Sequence, residues 1–335
     1  MRIGDLGEFP LIERLTRIVS SERSDIVVGI GDDAATLDLG GRELVLLTVD
    51  SQVEGSHFVR DRIPPLLLGR RLLAVNLSDI AAMGGCPTHA VVSLVRPSDL
   101  DLDWVEALYM GIGEEAARFG VAVVGGNIAR SLSGIVLDLC LLGQVARDRV
   151  LTRGGARPGD AVLVTGSLGE AAAGLALIER PELPLPAGER EALTTRHFVP
   201  TPRVREGTAI AASGLATAMI DLSDGLGSDI GHVCDRSGVG VRIYAGKLPV
   251  PPAVRRVAEL TGRAPWELAL FGGEDYELCL TVPALAAADL AERVTAETGT
   301  PASVVGEVLA AEAGRWLALP SGQEVPLEPR GFRHF

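Results

Sequence analysis

The chain has 335 residues, 47% of them hydrophobic and only 4% aromatic, the composition of a globular protein with an aliphatic core and length enough for two domains. Lys and Arg number 31 against 44 Asp and Glu, a net charge of −13 without any evident basic cluster, so nucleic acid is not an expected partner. No long apolar run could span a membrane, the opening "MRIGDLGEFPLIERLTRIV" mixes acidic with apolar residues, and Cys86, Cys140, Cys234 and Cys279 form no C-x-x-C. The expectations are therefore a cytoplasmic location, no membrane association, no disulfide and no zinc.

Short β-branched runs alternate with longer helical periodicities, an α/β pattern. The first run, Ile26–Ile30, leads into "GIGDDAATL". Gly29, Gly31 and Ala34 have the spacing of a dinucleotide-binding turn, yet Asp32 and Asp33 would repel the phosphates that such a turn holds with backbone N–H groups. A strand over Leu44–Val49 ends at Asp50. A helix over Leu66–Met83, a strand over Ala90–Val95, a helix over Leu102–Phe119 and strands over Val121–Val124 and Ile135–Val145 complete the first half. The Gly/Pro cluster "TRGGARPGD", Thr152 to Asp160, divides the chain into domains 1–150 and 151–335. Beyond it, strands are expected over Ala161–Val164, Ala216–Ile220, Gly240–Tyr244, Tyr276–Val282 and Ser303–Leu309. Helices fit Leu168–Leu177, Arg203–Ala212, Leu226–Arg236, Val254–Leu260 and Leu285–Thr295, and "ERPELPLPAGER" reads as a surface loop.

Aspartates recur where strands end: Asp32 and Asp33, Asp50, then Asp221 and Asp224 in "IDLSDGLGSDIGHV". Strand ends are where α/β proteins build sites. Asp79 lies inside the apolar helix segment "AVNLSDIAAMGG", where an ionised carboxylate is costly unless paired or metal-bound. A single Asp is explained by a turn or a helix cap; the set, with no arginines interleaved, matches the hard oxygen ligands of Mg²⁺. Lys247 is the only lysine and follows no P-loop pattern, so a phosphate-handling protein of this sequence needs metal ions for much of its positive charge. "FGGEDYELCLTV" adds a second glycine-flanked acidic turn, with Glu274 and Asp275 before a strand.

These residues resemble the thiamine-monophosphate kinase family, within the superfamily of aminoimidazole ribonucleotide synthetase and selenophosphate synthetase. The resemblance spans the chain in eight ordered motifs: "GEFPLIERL", "GIGDDAA", "VDSQVEGSHF", "AVNLSDIAAMGG", "LTRGGARPGD", "IDLSDGLGSD", "GGEDYELC" and "GFRHF". It implies an α/β (α+β) fold of two domains, the N-terminal domains of two subunits pairing into a homodimeric β-barrel. It also implies transfer of phosphate from ATP to thiamine monophosphate, giving thiamine diphosphate. By motif, it implies Asp33, Thr48, Val49, Asp50, Asp79, Asn127, Asp221 and Asp224 as Mg²⁺ ligands. Tyr109, Gly126, Asn127, Arg153 and Ser223 are implied as ATP contacts, and His57, Glu274 and Phe332 as contacts to thiamine phosphate. The family has Gly-Gly-Asp where this chain has Gly125, Gly126 and Asn127. No protein nucleophile or base is expected. The rival readings are an aminoimidazole ribonucleotide synthetase-like ligase, disfavoured by "VEGSHF", "GGEDYELC" and "GFRHF", and a nucleotide-binding regulator without turnover, disfavoured by the retained acidic residues.

Overall fold

A computed structural model describes residues 8–19, 23–328 and 330. In the first half, α1 (Glu8–Val19), β1 (Ile26–Val28), β2 (Ala35–Leu37), β3 (Glu43–Val53), α2 (Pro65–Ala82), β4 (Cys86–Arg96), α3 (Leu102–Phe119), β5 (Ala122–Arg130) and β6 (Val136–Ala146) follow one another. In the second come β7 (Asp160–Thr165), α4 (Glu170–Glu179), α5 (Ala187–Phe198), α6 (Val204–Ser213), β8 (Ala218–Asp221), α7 (Leu226–Ser237) and β9 (Gly240–Tyr244). α8 (Pro252–Thr261), α9 (Pro265–Phe271), β10 (Leu278–Pro283), α10 (Ala287–Thr298), β11 (Ala302–Leu309), β12 (Arg315–Ala318) and β13 (Glu324–Pro326) complete it.

The strands form two mixed sheets, ordered β1-β2-β3-β6-β4-β5 and β13-β12-β9-β11-β7-β10-β8. Among the described strands, only the β4–β5 and β9–β12 pairs are parallel. The long hairpin-like pairing of β3 with β6 alternates cleanly: Leu44, Leu46, Leu137, Leu139 and Leu141 are buried on one face, as period-2 patterning requires of a sheet covered on one side. α2 covers that face. It is apolar nearly all round, which suits a helix buried on every side, and it also packs on α6 and β8 of the second half. Three of its polar residues, Arg71, Asn76 and Ser78, are at most 2% exposed, and their position between the two sheets makes them candidates for a site.

Three sequence expectations need correction. The strand read as Val121–Val124 continues through Gly125 and Gly126 to Arg130. Glycine marks close backbone approach there: a Cβ on Gly126 would lie 2.0 Å from the Val92 carbonyl oxygen, beside an irregularity in the β4–β5 register. The loop "ERPELPLPAGER" gives way to α5 immediately after Pro186, because proline is tolerated at a helix start. α1, β2, α9, β12 and β13 were not expected; β2, β12 and β13 are only three or four residues long, too short for a periodicity signal. No helix among the described residues is long and apolar enough to cross a membrane.

Candidate active site

The inner face of β3 carries Thr48, Asp50 and Gln52 toward α2, and α2 answers with Arg71, Asn76, Ser78 and Asp79. Asp221 ends β8, which packs against α2, and Asp33 follows the turn after β1. Carboxylate oxygens of Asp33, Asp79 and Asp221 lie within 4.8 Å of one another. Thr48 Oγ1 donates to Asp79 Oδ2 at 2.5 Å, Ser78 Oγ donates to Asp221 Oδ2 at 2.6 Å, and Arg153 Nη2 donates to Asp33 Oδ1 at 2.6 Å. The buried Asp33 Oδ2 has no hydrogen-bond partner. Asp50 has its backbone N–H donated to Asn76 Oδ1 at 3.1 Å.

One guanidinium thus faces three clustered carboxylates. Burial first, and then the neighbouring Asp33 charge, push Asp221 up to about 8. Burial likewise raises Asp33, and burial with the charges of Asp50, Asp221 and Asp33 raises Asp79 well above the usual carboxylate range. Negative charge this concentrated calls for a cation, and a buried carboxylate oxygen without a donor is a coordination position in waiting. The residues therefore fit a divalent ion. Asp224, Asp229 and His232, with ligand atoms also within 4.8 Å of one another, form a second group at the start of α7.

The two acidic motifs are joined through their backbones. Glu274 N–H donates to the Ser223 carbonyl at 2.7 Å and Tyr276 N–H to the Leu222 carbonyl at 2.8 Å. To make this approach the chain takes positive φ at Gly273 (67°), Glu274 (60°) and Tyr276 (50°), and a Cβ on Gly273 would come within 2.9 Å of the Ser223 oxygen. Non-glycine residues held in this region cluster at functional sites. His57 Nδ1 accepts the Val53 N–H at 3.0 Å, which puts the proton of its neutral form on Nε2.

All of this opens on one cavity of about 1140 Å³. It is lined by Asp33, Thr48, Val49, Asp50, Asp79, Arg153, Asp221, Ser223, Asp224, His57 and Glu274, among others. Tyr109, Gly126 and Asn127 do not line it: Tyr109 is on α3, and Gly126 and Asn127 are exposed on the edge strand β5. Phe332 lies outside the described residues. Arg153, which the resemblance implies as an ATP contact, is 19% exposed and paired with Asp33. Sequence reading passed over Arg71, His197, Asp229 and His232, which also line the cavity. Asp229 and His232 had a signal, the i, i+3 spacing on one face of a helix; Arg71 stood out only as a charge inside an apolar helix.

Residues 31–145 match the N-terminal domain, and residues 157–316 the C-terminal domain, of the AIR synthase related proteins. Over 331 residues, 98% of each chain, the sequence is 39% identical to the thiamine-monophosphate kinase of Escherichia coli strain K12. Over 335 residues, 100% of each chain, it is 37% identical to that of Aquifex aeolicus strain VF5. Among solved structures, AaThiL complexed with AMPPCP and TMP is similar with a TM-score of 0.86 at 36% identity, covering 100% of this chain and 99% of that one.

Proposed function

The chain belongs to the AIR synthase related proteins, on the thiamine-monophosphate kinase branch, and from that membership we propose that it transfers the γ-phosphoryl group of ATP to thiamine monophosphate, yielding ADP and thiamine diphosphate in the cytoplasm. The observation that carries the reading is the set of clustered carboxylates at one cavity, in a chain whose structural relative binds an ATP analogue together with thiamine phosphate. Asp33, Thr48, Val49, Asp50, Asp79, Asp221 and Asp224 would hold several Mg²⁺ ions. When bound, Mg²⁺ neutralises the polyphosphate charge that a lysine-poor site cannot.

Arg153, fixed by Asp33, and Ser223 are assigned to ATP; His57, Glu274 and Phe332 are assigned to thiamine phosphate. The attacking group is a phosphate oxygen, already ionised at neutral pH, so the residues need only align it in line with the γ-phosphorus and exclude water. No side chain is assigned as nucleophile or base. Residues 1–150 form the nucleotide-binding and dimerising domain and residues 151–335 the domain that completes the cleft.

A homodimer is part of the proposal. The outer face and free edge of the first sheet expose Val49, Val91, Val123, Val124 and Ile128, with Val124 62% and Ile128 64% exposed. An apolar face ending in an unpaired edge strand invites a second sheet. The second copy would bring Tyr109, Gly126 and Asn127 to a shared site, the route by which these three are assigned to ATP, and Asn127 to a metal ion. Val124→Asp together with Ile128→Asp should convert the dimer to monomer in light scattering after size-exclusion chromatography and remove most activity; an unchanged dimer mass would refute this interface. The function itself is tested by supplying ATP and Mg²⁺ with either thiamine phosphate or formylglycinamidine ribonucleotide and identifying the product, which separates kinase from ligase.

A further inference from the structure

Arg71 is the most buried cation of the cavity wall, 2% exposed on α2, and its fork reaches three elements at once. Nε donates to Gln52 Oε1 on β3 at 3.0 Å, Nη1 donates to the His197 carbonyl in the last turn of α5 at 2.7 Å, and Nη2 donates to Glu274 Oε1. The other oxygen, Glu274 Oε2, is 3.2 Å from His197 Nδ1, a buried nitrogen without a hydrogen-bond partner. Glu274 itself is 29% exposed to the cavity and stands on a backbone with φ of 60°.

A carboxylate on so constrained a backbone has few ways to point, and a planar, three-pronged donor anchored in both halves of the chain selects among them. From this arrangement we infer that Arg71 is the positioning residue of the thiamine-phosphate end of the cleft: it fixes the Glu274 carboxylate in the orientation that meets the substrate, with Gln52 and the His197 carbonyl holding the guanidinium in place. Arg71 acts through Glu274 and not on the phosphoryl groups. The inference rests on the assignment of Glu274 to thiamine phosphate.

The test is steady-state kinetics of the full chain carrying Arg71→Gln, Arg71→Lys, Glu274→Gln and the double variant Arg71→Gln/Glu274→Gln, with thermal melting of each. Arg71→Gln should raise the KM for thiamine phosphate at least about tenfold and change that for ATP less than about twofold. Arg71→Lys keeps the charge but loses the fork and should fall between Arg71→Gln and wild type. In the Glu274→Gln background, Arg71→Gln should add less than about twofold, because two residues that act as one unit are non-additive. If Arg71→Gln does not fold, Gln52→Leu removes one anchor of the fork and should still raise the thiamine-phosphate KM selectively, by about two- to threefold. Equal changes in both KM values, or a full additional loss on top of Glu274→Gln, would overturn the positioning role. Wild-type protein that turns over no thiamine phosphate would instead remove the kinase reading on which it rests.

Discussion

Asp221→Asn should lower turnover at least about a hundredfold while the protein stays folded. The Asp221 carboxyl is 3% exposed at the end of β8, accepts the Ser78 hydroxyl, and shares its space with Asp33 and Asp79. Asparagine has the same shape and keeps an oxygen for Ser78, so packing is preserved; what disappears is one negative charge from the group assigned to orient the cations. Removing one preorganised electrostatic contact typically costs a hundred- to a thousandfold in turnover. The same change relieves repulsion among the three carboxylates when no cation is bound. The thermal midpoint in chelator should accordingly equal or exceed that of wild type. Near-normal turnover at millimolar Mg²⁺, or a variant that unfolds, would contradict the role given to this carboxylate.

Removal of divalent metal should abolish activity altogether, and added Mg²⁺ should restore it. Arg153 is the sole guanidinium hydrogen-bonded to the Asp33, Asp79 and Asp221 group among the described residues, and Asp33 Oδ2 is left without a donor. Two anionic substrates cannot enter such a cleft without added positive charge. A metal ion that binds the folded chain and not the unfolded one also stabilises it: an excess of about a hundredfold over Kd is worth about 2.7 kcal/mol. A melting curve with and without Mg²⁺ should show an upward shift in wild type and a smaller one in Asp221→Asn. Full activity in EDTA would remove the metal from the account.

Much of this arrangement is legible in the sequence because each piece announces itself locally. The helix expected over Leu102–Phe119 is α3 with those bounds, and it ends at Gly120, which takes the left-handed conformation that favours glycine. Asp50, Asp79 and Asp221 interrupt apolar runs whose burial is plain, so their carboxylates stand out as needing partners. β5 is misread because Gly125 and Gly126 look like a turn, when what Gly126 permits is close approach to β4. α5 is obscured by the prolines before it. The Arg71–His197–Glu274 contact has no local signature at all: its partners are 126 and 203 residues from Arg71 in sequence and meet only through the packing of α2 against the second half. Asn127 and Tyr109 mark another boundary: they lie on an exposed edge strand and on α3, away from the cavity, and only the proposed second copy gives them a role there.

The most direct test of the account follows the label from [γ-³²P]ATP in a single turnover with Mg²⁺ and thiamine phosphate. Direct transfer between two substrates aligned in the carboxylate-lined cleft predicts one equivalent of ADP and all of the label in thiamine diphosphate, none on the protein, and no reaction when formylglycinamidine ribonucleotide replaces thiamine phosphate. Label retained on the protein, label released as inorganic phosphate, or turnover of the ribonucleotide in place of thiamine phosphate would contradict it.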